Sequence, residues 1–116
     1  MISPDPNGLR VPASQRGELW RLETPISAAN RVVLIISDTD FDRYRNQVLT
    51  CDVISTDPGG PPLTVRLDES DPVAGWVVGP QIASTFKGYL AERLGEVHTN
   101  TMMQVDAVLR AVLRLP

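Results

Sequence analysis

The sequence predicts a mainly β domain of the α+β class, in which a small curled antiparallel sheet or barrel packs against one C-terminal amphipathic helix. Short runs that are apolar or alternate between polar and apolar residues recur along the chain, separated by segments rich in proline and glycine. An amphipathic helical stripe stands out only near the end of the chain. With 116 residues, 42% of them hydrophobic and 22% charged, the length suits one globular domain.

The first strand follows an N-terminal arm. Residues 1–15 contain several prolines and no hydrophobic period, so we expect a flexible arm there and a folded domain over residues 16–116. Residues 17–23 alternate between polar and apolar, which predicts a strand with one face toward solvent. A loop containing Pro25 is expected over residues 24–30.

An apolar run after Arg31 predicts the second strand, over residues 31–37, buried on both faces. Arg31 then lies at the exposed end of this strand, where its guanidinium can meet an anion or simply keep the strand soluble. Asp38 is expected to cap a short helix on which Phe41 and Tyr44 share one face. We interpret the acids at positions 38, 40 and 42 as capping residues rather than a cation site.

The middle of the chain predicts three further strands. The third covers residues 47–55, and the proline- and glycine-rich segment 56–62 after it is a loop. Residues 63–67 alternate and form the fourth strand, while residues 75–79 begin a fifth that continues past a kink at Pro80. Trp20, in the first strand, is expected to pack in the core rather than to stack on a ligand.

The end of the chain predicts a turn or short helix over residues 86–90, a strand over residues 93–97, and a closing helix. Thr101 and Gln104 have the spacing of a capping box. The apolar residues that follow this start recur at helical spacing, which predicts an amphipathic helix. His98, just before the helix, is interpreted as a solvated turn residue.

Composition excludes several classes of function. The formal net charge of −3 argues against a protein that coats nucleic acid through a broad basic surface. One cysteine, Cys51, cannot form an internal disulfide, and one cysteine with one histidine cannot make the usual zinc cluster, so no metal or cofactor is expected. No apolar run is long enough to span a bilayer, and no signal region is evident, which together predict a cytoplasmic protein.

Several short motifs resemble one family. They are residues 16–20 (Arg-Gly-Glu-Leu-Trp), residues 31–38 (Arg-Val-Val-Leu-Ile-Ile-Ser-Asp), residues 53–56 (Val-Ile-Ser-Thr), Gln81-Ile82, and residues 94–97 (Leu-Gly-Glu-Val). In this order and spacing they resemble the MazF/PemK (Kid) family of toxin endoribonucleases over residues 16–115. The resemblance implies an SH3-like barrel of the MazF/CcdB type.

The resemblance also implies a function and a set of site residues. It implies a homodimer that cleaves single-stranded mRNA at a short sequence without metal, through attack of a ribose 2′-hydroxyl that leaves a cyclic phosphate and a 5′-hydroxyl. A cognate antitoxin, MazE-like or of another class, would silence it. Arg31 and Ser55 match the family's catalytic arginine and threonine. Thr56 is the neighbouring alternative to Ser55 for that threonine, and it is otherwise expected to bind substrate, as is Gln81. Arg43, close to the third strand, is a further candidate for contacting phosphate.

Two alternatives remain open at the level of sequence. Val32 replaces the proline that follows the family's arginine, Pro80 stands where the family often has an acidic residue, and Ala83 stands where it often has an arginine. These departures leave room for an inactive dimer that only binds an antitoxin and regulates its operon. A noncatalytic poison similar to CcdB, acting on gyrase, is the other alternative, although the C-terminal Arg114-Leu115-Pro116 differs from the Trp-Gly-Ile tail of that poison.

Overall fold

A computed structural model describes residues 14–59 and 63–116, and the backbone alone for residues 27–30. Six strands form one antiparallel sheet in the order β4-β5-β3-β2-β1-β6. The strands are β1 (Glu18–Thr24), β2 (Ser27–Ile35), β3 (Gln47–Ile54), β4 (Thr64–Arg66), β5 (Trp76–Phe86) and β6 (Leu90–Glu96); the helices are α1 (Thr39–Asp42) and α2 (Thr99–Leu113), with a 3₁₀ turn at Lys87–Tyr89. The predicted fold class, a curled antiparallel sheet with a C-terminal helix, is confirmed.

The sheet buries side chains on both of its faces. One cluster, which includes Leu34, Cys51 and Val77, packs against Val105 of α2. The other cluster includes Trp20, Val33 and Ile35. Neighbouring residues of β2 fall into different clusters because side chains along a strand alternate between faces. The structure therefore confirms the two-sided burial predicted for this strand and the core position predicted for Trp20, which is only 6% exposed.

The predicted loop over residues 24–30 is wrong, because β2 begins at Ser27. Thr24 and Ser27 are partners across the β1–β2 ladder, so Pro25 and Ile26 alone make the connection. Arg31 consequently lies in the middle of β2 rather than at its end. Its side chain is still 45% exposed, since the fully buried part of the strand starts only at Val33.

As the sequence predicted, β5 continues through Pro80. The β3–β5 register shifts between Cys51, which pairs with Ile82, and Val53, which pairs with Val77. Four residues of β5, 78–81, therefore lie opposite the single residue Asp52 of β3, and this mismatch forms a bulge in the ladder. Proline is tolerated in a sheet at such a bulge because a ladder hydrogen bond is not required there.

The first helix ends earlier than predicted, and the second begins earlier than predicted. Asp38 caps α1, accepting a hydrogen bond from the Phe41 N–H at 3.1 Å, as expected, but the helix ends at Asp42 and Tyr44 lies outside it. The predicted capping box at Thr101 is wrong, because α2 starts at Thr99 with His98 as its N-cap.

An aspartate distant in sequence explains the start of α2. The Thr101 hydroxyl is buried within the helix and donates to Asp71 Oδ2 at 2.7 Å, while the His98 N–H donates to Asp71 Oδ1 at 2.7 Å. Asp71, in the segment between β4 and β5, thus supplies the acceptors that the sequence pattern assigned to residues of the helix itself. In the described part of the chain, no helix is long and apolar enough to cross a membrane.

Candidate functional site

The strand register gathers polar side chains on one face of the sheet, beyond the buried cluster that contains Trp20. Val33 pairs with Trp20 on β1 and with Asp52 on β3, so Asp52 points to the face of this cluster. Arg31 is two residues before Val33 and therefore points to the same face. On this face, the apolar side chains of the buried cluster are followed by the charged side chains of Arg31 and Asp52.

Arg31 and Asp52 form an ion pair. Arg31 Nη2 donates a hydrogen bond to Asp52 Oδ1 at 2.9 Å, and the two side chains are 45% and 30% exposed. Both line a groove of about 470 Å³, together with Val32 and residues 53–56. The carboxylate bonds only one of the guanidinium nitrogens, and a guanidinium has five N–H donors in all, so Arg31 retains donors that a bound ligand can use.

Ser55 and Thr56 follow the last residue of β3 and line the same groove. Both are exposed, and neither hydroxyl has a hydrogen-bond partner among the described residues. Gly75 packs closely against this end of β3: it has φ 144°, and a Cβ there would lie 2.5 Å from the Ile54 carbonyl oxygen. The groove thus combines one cation with two hydroxyl groups able to donate hydrogen bonds.

The structure brings three of the five candidate site residues together and leaves two outside the groove. Gln81 is exposed on β5 and is one of the four residues that form the bulge opposite Asp52. Strand β3 separates it from Arg31 on β2. Arg43 follows α1, where its guanidinium bonds Asp40 Oδ1 at 2.7 Å, and it does not line the groove. Substrate contacts by Gln81 and Arg43 stay predictions.

Asp52 is the groove residue that the sequence reasoning missed. It lies within the predicted third strand, where a polar residue between Cys51 and Val53 indicates only a position facing solvent. Its pairing with Arg31 depends on the register of β2 against β3, which no local pattern reveals.

The electrostatics of the neighbouring core exclude Cys51 as a nucleophile. Its side chain is fully buried behind Asp52, and burial, with a smaller contribution from the Asp52 charge, raises the pKa of the thiol from 9.0 to about 11. The thiol is therefore protonated and unreactive near neutral pH. Within residues 14–59 and 63–116, no group of three potential metal ligands is found.

Comparison with known proteins gives a family match over residues 15–113, to the family described as PemK-like, MazF-like toxin of type II toxin-antitoxin system. Endoribonuclease MazF4 of Mycobacterium tuberculosis is 30% identical over 104 residues, which cover 90% of this chain and 96% of that protein. Endoribonuclease MazF1 of Mycobacterium bovis matches to the same extent.

Solved structures share the fold. An endoribonuclease in complex with its cognate antitoxin, from a mycobacterial species, matches with a TM-score of 0.82 and 29% identity over 90% of this chain and 98% of that chain. The MazE-MazF complex (Form-II) from Deinococcus radiodurans matches with a TM-score of 0.78 over 90% of this chain and 98% of that chain, and its 23% identity supports the fold alone.

Proposed function

Because this chain belongs to the PemK-like, MazF-like toxin family of type II toxin-antitoxin systems, we propose that it is the toxin of such a system and cleaves single-stranded mRNA at a short sequence. Its 30% identical relatives are named endoribonucleases and align over 90% of this chain, which supports the same activity. The observation that carries the proposal is the groove that Arg31, Ser55 and Thr56 line together. One guanidinium and two hydroxyls suit a phosphodiester.

The proposed reaction is attack of a ribose 2′-hydroxyl on the adjacent phosphorus. The bond from O2′ to phosphorus forms, and the bond from phosphorus to O5′ breaks, leaving a cyclic phosphate and a 5′-hydroxyl. The 2′-hydroxyl loses one proton and O5′ gains one, while negative charge builds on the nonbridging oxygens of the pentacoordinate phosphate. Groups that stabilise this charge in the transition state accelerate the reaction.

Each groove residue has a role in this reaction. Arg31 stabilises the nonbridging oxygens, and Ser55, with Thr56 beside it, donates a hydrogen bond to one of them. A guanidinium is a poor base, so proton removal falls to another group. Asp52, the carboxylate that lines the groove, is the group available to accept the 2′-hydroxyl proton while it fixes the orientation of Arg31. The nucleophile belongs to the substrate, so the scheme requires no metal.

The family membership also supports a set of partners. We infer a homodimer in the cytoplasm, silenced by a cognate antitoxin, since a mycobacterial relative of known structure was solved with its own antitoxin. The ion pair between Arg31 and Asp52 lowers the positive charge of the groove, so RNA affinity here depends more on hydroxyl and base contacts than on charge attraction.

Incubation with a long single-stranded RNA in excess EDTA tests the proposal. The wild-type chain should produce discrete cuts whose fragments carry 5′-hydroxyl ends. The Arg31→Ala variant should lose these cuts, whereas Arg110→Ala, which removes an exposed arginine from the last turn of α2, should keep them. Absence of cleavage across RNAs of diverse sequence would contradict the endoribonuclease proposal and favour a noncatalytic toxin or an antitoxin-binding dimer on the same fold.

A further inference from the structure

A second groove adjoins the first next to the end of β3, between β4 and the segment that leads into β5. Trp76, the first residue of β5, pairs with Ile54 on one side and with Arg66 of β4 on the other. Ile54 lies two residues after Asp52 and shares its face, so Trp76 and Arg66 share that face as well. Ser55 lines both grooves. We call the second one the Trp76 groove; its lining includes Ser55, Arg66, Asp68, Glu69 and Trp76.

The Trp76 groove has the features of a stacking site. Trp76 is only partly buried, in contrast to Trp20, which is 6% exposed and donates its indole N–H to Glu18. The Arg66 guanidinium lies over the Trp76 ring at 6.0 Å from its centroid, in an open arrangement, whereas Arg45 contacts the Phe41 ring at 4.5 Å. Tryptophan and arginine planes are the surfaces on which unpaired nucleobases stack.

The size and charge of the Trp76 groove favour a base over a phosphate. Its volume is about 280 Å³, at the lower end of ligand pockets, which suits one flat ring system. The carboxylates of Asp68 and Glu69 form part of its wall, and hydrogen bonds from Ser70 lower the pKa of Asp68, which keeps that group ionised. Such carboxylates repel phosphate but accept hydrogen bonds from the amino groups of a base.

We propose that the Trp76 groove is a specificity subsite that binds one nucleobase bearing an exocyclic amino group, from the nucleotide next to the scissile phosphate. This inference rests on the proposed function, because the neighbouring groove must hold the phosphate. Trp76 stacks on the base, Arg66 covers its other face, and the acidic wall selects its edge. The subsite supplies affinity and sequence preference, and it takes no part in the bond changes.

Two readouts test the subsite, one with cleavage and one without it. In the first readout, a pool of random-sequence RNA is cleaved by four proteins, and the sequences around each cut are counted. The proteins are wild type, Trp76→Leu, Trp76→Phe and Tyr44→Leu. Tyr44 is the matched control, since its ring is 90% exposed and lines neither groove. Trp76→Leu should lose the base preference at one position beside the cut, Trp76→Phe should keep part of it, and Tyr44→Leu should leave it unchanged.

The second readout is the quenching of tryptophan fluorescence by ten-nucleotide homopolymers of A, C and U. Quenching should appear with oligo-A and oligo-C in the wild-type protein and disappear in Trp76→Phe, which leaves Trp20 as the only tryptophan. Anisotropy of labelled RNA should show Trp76→Leu binding about 5- to 160-fold more weakly, the range that one stacked base gives. Circular dichroism melting establishes whether each variant is folded. If Trp76→Leu is not folded, the comparison of wild type with Trp76→Phe tests the subsite.

The outcomes separate the subsite from the proposed function. RNA that is cut by wild type and by folded Trp76 variants with the same preference and affinity overturns the subsite and leaves the nuclease intact. RNA that binds and quenches Trp76 without being cut supports the subsite and overturns the nuclease. If RNA binds without quenching tryptophan fluorescence, or does not bind at all, the subsite is overturned whether or not the RNA is cut.

Discussion

Replacing Asp71 with alanine is expected to destabilise the whole domain, because this residue joins the β4–β5 segment to the start of α2. The carboxylate is only 8% exposed and accepts three hydrogen bonds of 2.7 Å, from the Asp68 N–H, the His98 N–H and the Thr101 hydroxyl. Alanine removes every acceptor and leaves these donors near the surface of the core without a partner.

The magnitude follows from these contacts. A hydrogen bond to a charged group contributes about 1.5–3 kcal/mol, and losses within one network do not add fully, so we expect Asp71→Ala to lower the free energy of unfolding by about 3–5 kcal/mol. For a chain of this size, about 4 °C of Tm is lost per kcal/mol, which predicts a fall of about 12–20 °C. Thr101→Val, which removes one of the three bonds and keeps the shape, should lose about 1.5–3 kcal/mol.

Thermal unfolding followed by far-ultraviolet circular dichroism measures these differences. Asp68→Ala is the matched control: its carboxylate is exposed and accepts hydrogen bonds from Ser70 within its own turn, so its Tm should stay within about 2 °C of wild type. If Asp71→Ala melted as close to wild type as this control, the argument that a distant carboxylate anchors α2 would be refuted.

Three further predictions concern the region of the groove. Asp52→Asn keeps a hydrogen-bond acceptor for Arg31 but cannot take a proton, so RNA cleavage should fall by about 10²–10⁴-fold with RNA affinity unchanged or raised, as single-turnover kinetics and anisotropy would show. Gly75→Ala places a Cβ 2.5 Å from the Ile54 carbonyl oxygen at a φ of 144°, so its Tm should fall by several degrees and RNA cleavage should weaken, in melting and cleavage assays. Cys51, with a pKa raised to about 11, should react with a thiol reagent at pH 8 only after unfolding. Because the pKa of the folded state lies above that of the unfolded state, the contribution of this thiol to stability should be complete below about pH 9 and should be lost as the pH rises toward 11. Denaturant titrations at several pH values would measure this loss.

Local patterns predicted the parts of the fold that depend on neighbours in sequence. The apolar run after Arg31 predicted two-sided burial, Asp38 predicted the α1 cap, and the helical stripe predicted α2. In each case the residues that form the element also carry the signal, whether as periodicity or as a side chain within reach of the backbone it caps.

The features that the sequence did not predict depend on contacts between distant segments. The start of β2 at Ser27 follows from pairing with Thr24 across the hairpin, and this pairing outweighs the turn signal of Pro25. The start of α2 depends on Asp71, and the pairing of Arg31 with Asp52 depends on register. Resemblance to a family suggested the catalytic candidates, but it carried no information about Asp52, which pairs with Arg31 through the register of β2 against β3.

In the proposed mechanism, the 2′-hydroxyl of an RNA lying in the groove lined by Arg31, Ser55 and Thr56 attacks the adjacent phosphate. The most direct measurement compares two short RNAs that contain the mapped cut site and differ only in the 2′-hydroxyl of the nucleotide before the cut, in excess EDTA, with wild type and Arg31→Ala. We expect wild type to bind both RNAs with similar affinity and to cut only the one with the 2′-hydroxyl, and Arg31→Ala to cut neither. Cleavage of the 2′-deoxy substrate, or undiminished cleavage by Arg31→Ala, would contradict this mechanism.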